Sequence, residues 1–331
     1  MKVSELGEFG LIDLIKRTIE QSQNRDLLSR QQVVAGIGDD AAVWRSKYGL
    51  ALATTDTLVE GVHFRRGMGT WEDVGWKALA VSLSDIAAMG GLPAYALVSL
   101  AMPPSANVEE ITALYRGITE LANKHDTALV GGNITRASEL SITTTVVGSS
   151  SGNEVLRRSA ARPGDLIAIT GHTGLAAAGL RMLTRHQSTD RDTQTVLRNA
   201  SLRPQPRLAE GQVLLKHGVK TAIDISDGLL SDLTQICRAS QLGARVETRK
   251  LPIHPVLKQA FPMVALELIL SGGEDYELLF TADKDVIERV AKEIPVTAIG
   301  EMTSGRADVY LVDDRGRILS PARRGWEHFR S

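Results

Sequence analysis

From Asp73 to Pro93 the chain reads DVGWKALAVSLSDIAAMGGLP, and this stretch decides the fold class. Val74, Ala78, Val81 and Met89 recur at helical spacing. Gly90-Gly91 and then Pro93 form a stop, because glycine readily takes the backbone conformation that ends a helix and proline cannot continue one. The spacing predicts a helix over 73–89, flanked by segments of the other period. Leu50 to Thr55 alternates as a strand ending at Asp56, and Tyr95 to Ala101 reads as a second strand.

Working outward, a helix is expected over Leu11–Glu20 and another over Val108–His125. Ala128 to Val130 reads as a strand running into Gly131-Gly132, and Ser141 to Val147 as a β-rich strand. These elements make one α/β unit. The cluster Gly148 to Asn153 sustains neither period and marks a boundary, giving expected domains of 1–150 and 151–331. In the second half, Asp165–Thr170 is a strand followed by Gly171-His172-Thr173-Gly174 and a helix of small residues. Arg185 to Gln194 is polar and expected to be exposed. A helix follows Arg203-Pro204 to about His217, then a strand ending near Ile223, the turn Asp224-Ile225-Ser226-Asp227-Gly228, and a helix over Leu229–Ala239. Tyr276–Thr281 is a strand entered from Gly272-Gly273. The expected fold class is α/β (α+β) in two domains.

The bulk numbers agree. At 331 residues, 43% apolar and 23% charged, the chain exceeds the size that one core usually serves. Its 38 Lys and Arg against 39 Asp and Glu leave a net charge of -1, with no charged block that would suit nucleic acid or a membrane surface. The lone Cys237 can form neither an intrachain disulfide nor a cysteine zinc site, so it reads as core filling in a reducing compartment. The N-terminus lacks a signal-peptide layout. The most apolar stretch, Lys77 to Pro104, is broken by Asp85, Gly90-Gly91 and Pro93, so a cytoplasmic protein without a membrane span is expected.

Carboxylates sit beside glycine or at the end of an apolar element in Gly38-Asp39-Asp40, Thr54-Thr55-Asp56-Thr57, Ser84-Asp85 and Asp224-Ile225-Ser226-Asp227-Gly228. That recurrence points to a hard cation. Magnesium takes oxygen ligands and is typically held by a few carboxylates together with substrate phosphates. Asp85 lies near the C-terminal end of an apolar helix, where the helix dipole disfavours a carboxylate and a nearby cation would remove the conflict. The alternative is an exposed Asp on a frayed end. Asp224 and Asp227 could instead cap the following helix, and Asp39-Asp40 could lie in a solvated turn. The turn at 171–174 could cradle a phosphate but lacks the Gly-Lys-Ser/Thr ending of a P-loop, and close packing serves equally well. His63 could contact substrate or be structural, and Trp326 could stack on a heterocycle or fasten the tail.

With those residues placed, the chain resembles the thiamine-monophosphate kinase family. The resemblance is carried by Gly-Glu-Phe at 7–9, GIGDDAA from Gly36, TTDTLVEGVHF from Thr54, KALAVSLSDIAAMG from Lys77, GGNITR from Gly131, RSAARPGD from Arg158, IDISDGLLSDL from Ile223, SGGEDYEL from Ser271 and GWEHF from Gly325. It implies an aminoimidazole ribonucleotide synthetase-like fold, with N-terminal mixed sheets pairing across a homodimer and a C-terminal α/β domain that completes the site. Relatives of that superfamily in selenium and hydrogenase chemistry are expected to carry an N-terminal reactive cysteine or a C-terminal one, and this chain has neither.

The resemblance also implies roles. Asp40, Thr54, Thr55, Asp56, Asp85, Asn133, Asp224 and Asp227 match ligands for several magnesium ions that gather the phosphates of ATP, the co-substrate. Gly132, Asn133, Arg158 and Ser226 match ATP contacts, with Asp56, Asp85, Arg158 and Asp227 carrying the catalysis. His63, Glu274 and Trp326 match the positions that hold thiamine monophosphate. Many members have Asp where this chain has Asn133, so one negative charge is missing and the number of magnesium ions is open.

Overall fold

The computed structural model describes residues 5, 8–22, 31–47, 49–150, 152–186, 189–320 and 325–326. After the helix α1 (Glu8–Ser22), the first half builds a six-stranded sheet from β1 (Val33–Ala35), β2 (Ala42–Ser46), β3 (Gly49–Val59), β4 (Leu92–Met102), β5 (Ala128–Arg136) and β6 (Ser141–Ser149). Its spatial order is β1-β2-β3-β6-β4-β5, antiparallel except for the parallel pair β4 and β5. Two helices, α2 (Trp71–Ala88) and α3 (Val108–Lys124), pack on one face.

The helix expected over 73–89 is α2. It starts in a capping box, in which Thr70 Oγ1 accepts from the Asp73 N–H at 3.1 Å and Asp73 Oδ2 accepts from the Thr70 N–H at 3.0 Å. It ends at Met89, where Gly90 takes φ +65°, as the stop signal requires. Against α3 it packs backbone to backbone. A Cβ on Gly75 would lie 1.9 Å from Leu114 O, and one on Gly117 would lie 1.9 Å from Glu72 O.

Two strands differ from expectation. β3 does not end at Asp56 but continues to Val59, because Asp56, Thr57 and Leu58 stay paired with Thr144, Thr143 and Ile142 of β6. Gly131-Gly132 is not a turn after a strand but lies inside β5. Glycine is needed there because β4 crowds it: a Cβ on Gly132 would sit 1.8 Å from Val98 O.

Among the described residues the second half forms a seven-stranded sheet of β7 (Leu166–Thr170), β8 (Thr221–Asp224), β9 (Gly243–Glu247), β10 (Leu278–Ala282), β11 (Val296–Thr303), β12 (Val309–Val312) and β13 (Ile318–Leu319), ordered β13-β12-β9-β11-β7-β10-β8. Its helices are α4 (Leu175–Arg185), α5 (Arg191–Leu202), α6 (Leu208–Lys216), α7 (Leu229–Ser240), α8 (Pro255–Ala260), α9 (Ala265–Ser271) and α10 (Lys284–Val290). The segment 185–194, expected to be exposed, contains the start of α5; residues 187–188 lie outside the described set. Asp190 caps that helix by accepting from the Thr193 N–H at 2.9 Å, and Leu197 is buried against Gly179 of α4. Its polar composition hid the narrow buried stripe.

The two faces of the second sheet serve different cores. Ala168, Leu278 and Phe280 join Leu79, Leu83 and Ile86 of α2, whereas Ile167, Ile169 and Leu279 face Leu233, Ile236 and the fully buried Cys237 of α7. Alternation along each strand produces this division. Thus α2 lies between the sheets, touching β3, β6, β8 and α6.

Candidate active site

That central placement lets α2 offer side chains to both halves. Asp85 of α2, Asp224 at the end of β8 and Asp40 from the Gly36–Asp40 turn each present a carboxylate oxygen, all within 4.8 Å of one another. Hydroxyls orient the surrounding acids. Thr54 donates to Asp85 Oδ2, Ser82 donates to Asp56 Oδ2 at 3.0 Å, and Ser84 donates to Asp224 Oδ2 at 2.6 Å. Arg158 clamps Asp40 through Nη2 to Oδ1 at 2.6 Å and Nε to Oδ2 at 3.2 Å, while its backbone N–H donates to Asp39 Oδ1 at 2.9 Å. A bidentate guanidinium–carboxylate pair fixes geometry as well as charge.

The electrostatics are those of carboxylates crowded together beside one guanidinium. Burial, and then the Asp40 charge, push Asp224 up to about 8. Asp85 is held well above the usual carboxylate range by burial and by the charges of Asp56, Asp224 and Asp40. Burial also raises Asp56, against the hydrogen bonds from Ser82 and Asp85. Burial disfavours the Arg158 charge, but Asp40 chiefly, with Asp224 and Asp232, more than restores it. An all-oxygen donor set of buried and half-buried, mutually repelling carboxylates fits a hard divalent cation, which would replace repulsion by attraction.

The structure does not bring every expected ligand to this cluster. Thr54 and Asp56 alternate with Thr55 on β3, so the Thr55 hydroxyl faces the opposite side of the sheet, where it meets Thr145 Oγ1 at 2.9 Å. Asn133 is on that opposite side too. It pairs with Ser99, which pairs with Thr143, which pairs with Thr57, placing it roughly 14 Å across the sheet from β3. Gly132 lies one residue before it, in the row that contains Asp56. The capping alternative for Asp224 and Asp227 does not hold. The N-cap of α7 is Gly228, and the buried Asp232 inside the first turn accepts from the N–H groups of Asp227 and Gly228 at 3.2 and 3.1 Å. Asp227 is not one of the three mutually adjacent acids, and its carbonyl accepts from the Trp326 N–H at 2.9 Å.

Beyond the acid cluster, Glu274 forms a 2.6 Å ion pair with Lys77 of α2, whose side chain is 7% exposed. Its N–H donates to Ser226 O at 2.7 Å, tying it to the Asp224–Gly228 turn. Trp326, beside Asp227, exposes 57% of its surface, and His63 closes the end of β3 by accepting from the Val59 N–H at 3.0 Å. Gly7 of the 7–9 motif and the residues of GWEHF after Trp326 lie outside the described set. The turn at 171–174 carries a protein carboxylate: the Gly174 and Ala176 N–H groups donate to Asp275 at 2.5 and 3.0 Å. Close packing is therefore its role, since the helix start is already satisfied.

Sequence reasoning missed Lys77, Ser82, Ser84 and Asp232. The signal for Lys77 was available, as a charge on a helix otherwise apolar enough to be buried. The serines gave none, being ordinary small residues at such positions.

Residues 38–150 match the family model for the N-terminal domain of AIR synthase related proteins, and residues 162–312 match the model for the C-terminal domain. The thiamine-monophosphate kinase of Bacillus subtilis is 37% identical over 339 residues, covering 98% of this chain and 100% of its own. That of Escherichia coli strain K12 is 39% identical over 336 residues, covering 98% of each. A solved structure described as AaThiL complexed with AMPPCP and TMP aligns with a TM-score of 0.87 at 34% identity, covering 99% of each chain. The hydrogenase maturation protein HypE in complex with ATP shares the fold, with a TM-score of 0.68 at 20% identity over 93% of this chain and 95% of its own.

Proposed function

The chain belongs to the thiamine-monophosphate kinase family, and from its residues we propose how it carries out the ATP-dependent phosphorylation of thiamine monophosphate in thiamine biosynthesis. The observation that carries the reading is the meeting of Asp40, Asp85 and Asp224 within 4.8 Å. These three, with Asp56 alongside and Thr54 orienting Asp85, are the residues that would hold magnesium. When bound, magnesium would neutralise the phosphate oxygens of ATP and the charge that develops during transfer.

Arg158 stands beside Asp40 as the fixed cation that faces the phosphates, with Gly132 and Ser226 contributing nucleotide contacts. Glu274, anchored by Lys77, takes the amino or cationic part of the thiamine moiety, with His63 and Trp326 around it. Transfer is direct and in line. A phosphate monoester is largely ionised near neutral pH, with a second pKa of roughly 6, so no strong general base is needed and alignment dominates. Asp227 acts at the edge of the cluster. Thr55 and Asn133, on the outer face of the sheet, are not among the residues proposed to hold magnesium.

That outer face also supports a homodimer. On that face Tyr95 and Leu97 of β4 are 54% and 40% exposed, and the edge strand β5 beside them leaves Val130 and Ile134 at 56% and 67% exposure along its open edge. A long exposed edge with apolar residues calls for cover, and a second copy supplies it. We divide the chain into domains 1–150 and 151–331, a reading supported by the six-stranded sheet ending at Ser149 and the seven-stranded sheet starting at Leu166. Among the described residues no helix is long and apolar enough to cross a membrane, and cytoplasmic residence is proposed on the lone buried thiol.

The test is an ADP-release assay with ATP and magnesium, comparing thiamine monophosphate with thiamine and with buffer, and identifying the product by chromatography. Thiamine diphosphate formed from the monophosphate alone supports the reading. ATP binding without product would overturn it.

A further inference from the structure

Tyr276 is 6% exposed and stands at φ +52°, with Glu274 two residues earlier at φ +68°. Large side chains rarely enter this left-handed region, and each such residue persists only where its surroundings over-determine it. Here they do. The Glu274 N–H donates to Ser226 O at 2.7 Å, the Tyr276 N–H to Ile225 O at 2.9 Å, and the Ile225 N–H to Glu277 O at 2.8 Å. Between the two strained residues, Asp275 is bonded to the first turn of α4. These ties run to the Asp224–Gly228 turn or to a helix end, and the Glu274–Lys77 pair adds one to α2, so the loop is held tightly against the acid cluster.

The aromatic ring belongs to the central core, but the hydroxyl is bonded to nothing among the described residues. Nor is it sealed away, since the enclosed polar atoms that lack partners belong to His125, Thr173 and Thr221. Burial, followed by the charges of Glu274, Asp56, Asp224 and Asp227, holds this phenol well above its ordinary value. Geometry places the residue: it follows Glu274, at the proposed thiamine end, by two positions, its N–H is bonded to Ile225 O next to Asp224, and Leu278 two residues on pairs with Asp224 at the phosphate end. Along α2, Lys77 and Ser84 mark the same two ends, roughly 10 Å apart by helical rise. A neutral phenol is a hydrogen-bond donor, and a donor near so many acceptors yet paired with none is placed for an acceptor that arrives with the substrate.

We infer that Tyr276 is a catalytic residue whose hydroxyl donates a hydrogen bond to the acceptor phosphate of thiamine monophosphate. The inference rests on the proposed function. In the step itself, an oxygen of that phosphate forms a bond to the γ-phosphorus of ATP while the bond from the γ-phosphorus to the β,γ-bridging oxygen breaks. The electron pair leaves with ADP. The phenolic proton stays on Tyr276, which holds the attacking oxygen in line. Strain in the loop fixes the hydroxyl before substrate arrives, so little is lost in ordering it on binding.

Tyr276→Phe removes one oxygen and keeps the ring that fills the core. Expected is an unchanged thermal midpoint and circular dichroism spectrum, an unchanged affinity for a non-hydrolysable ATP analogue by calorimetric titration, and kcat/KM for thiamine monophosphate reduced about 100-fold. Wild-type kcat/KM in the folded variant overturns the inference. So does an equal loss of nucleotide affinity, or a lower midpoint with proportionate loss of all activities, since either reports a structural role. Failure of the wild-type enzyme to make thiamine diphosphate is a separate result, which would remove the proposed function.

Discussion

Ser84 on α2 donates a 2.6 Å hydrogen bond to Asp224 at the end of β8, so one hydroxyl joins the helix of the first half to the acid strand of the second. Positioning groups of this kind typically affect metal affinity 10- to 100-fold. Ser84→Ala is expected to raise the magnesium concentration for half-maximal activity by roughly 10-fold while leaving kcat at saturating magnesium within about 3-fold. Asp224→Asn is expected to lower kcat by 100-fold or more, on the order seen when a group that organises transition-state charge is removed. A magnesium titration of initial rates separates the two.

Asp85, half-buried on α2, stands among like charges that it must face whenever the cation is absent. Asp85→Asn removes one of them and keeps an oxygen for the Thr54 hydroxyl. The variant is expected to be more stable than wild type without magnesium, by about 1 kcal/mol or more, and at least 100-fold slower with it. Thermal unfolding in chelator, beside turnover in magnesium, reads both effects.

Lys77 and Glu274 form a pair in which the lysine is the better buried partner. Lys77→Met keeps much of the aliphatic packing and frees Glu274 from its anchor. Expected is a rise in KM for thiamine monophosphate of about 10-fold with KM for ATP within about 2-fold. Equal rises in both constants would show that the pair supports the whole site and not the acceptor end.

Burial pushes the Asp275 carboxyl up to about 7, despite the helix N–H groups that favour its charge. In an unfolded chain the same group titrates near ~3.9. Between these values the folded protein binds the proton more tightly than the unfolded one, so this group's contribution to stability falls as pH rises, by up to about 4 kcal/mol in all. Asp275→Asn is expected to gain stability relative to wild type when urea unfolding is moved from pH 5 to pH 8. A pH-independent difference between the two proteins would contradict the assignment.

The sequence made α2 legible because its stop signal and apolar spacing agree, and Gly90 takes the conformation that signal requires. It concealed α5, whose buried residues Thr193, Leu197 and Ser201 include only one apolar side chain. The strands β9, β11 and β12 were not read either, being short segments joined by long-range pairing to strands far away in the chain. The acid cluster was foreseen through the recurrence of carboxylates near glycine. Strand alternation, which sends Thr55 away from Thr54 and Asp56, was available but was not applied to the ligand set. The Lys77–Glu274 pair and the strained Tyr276 depend on tertiary contacts that no local pattern encodes.

The absent side chains of Gly75 and Gly117 set the tolerance of the whole catalytic apparatus. With α2 and α3 touching at the main chain, α2 has a hard stop on that side, whereas a contact made through flexible side chains would give and recover. A single methyl at either glycine would shift the beam that carries both Lys77 and Asp85, detuning the acceptor end and the phosphate end together. Loss of activity could thus arise in positions that no substrate ever meets, and screens for inactive variants should recover them alongside the acids.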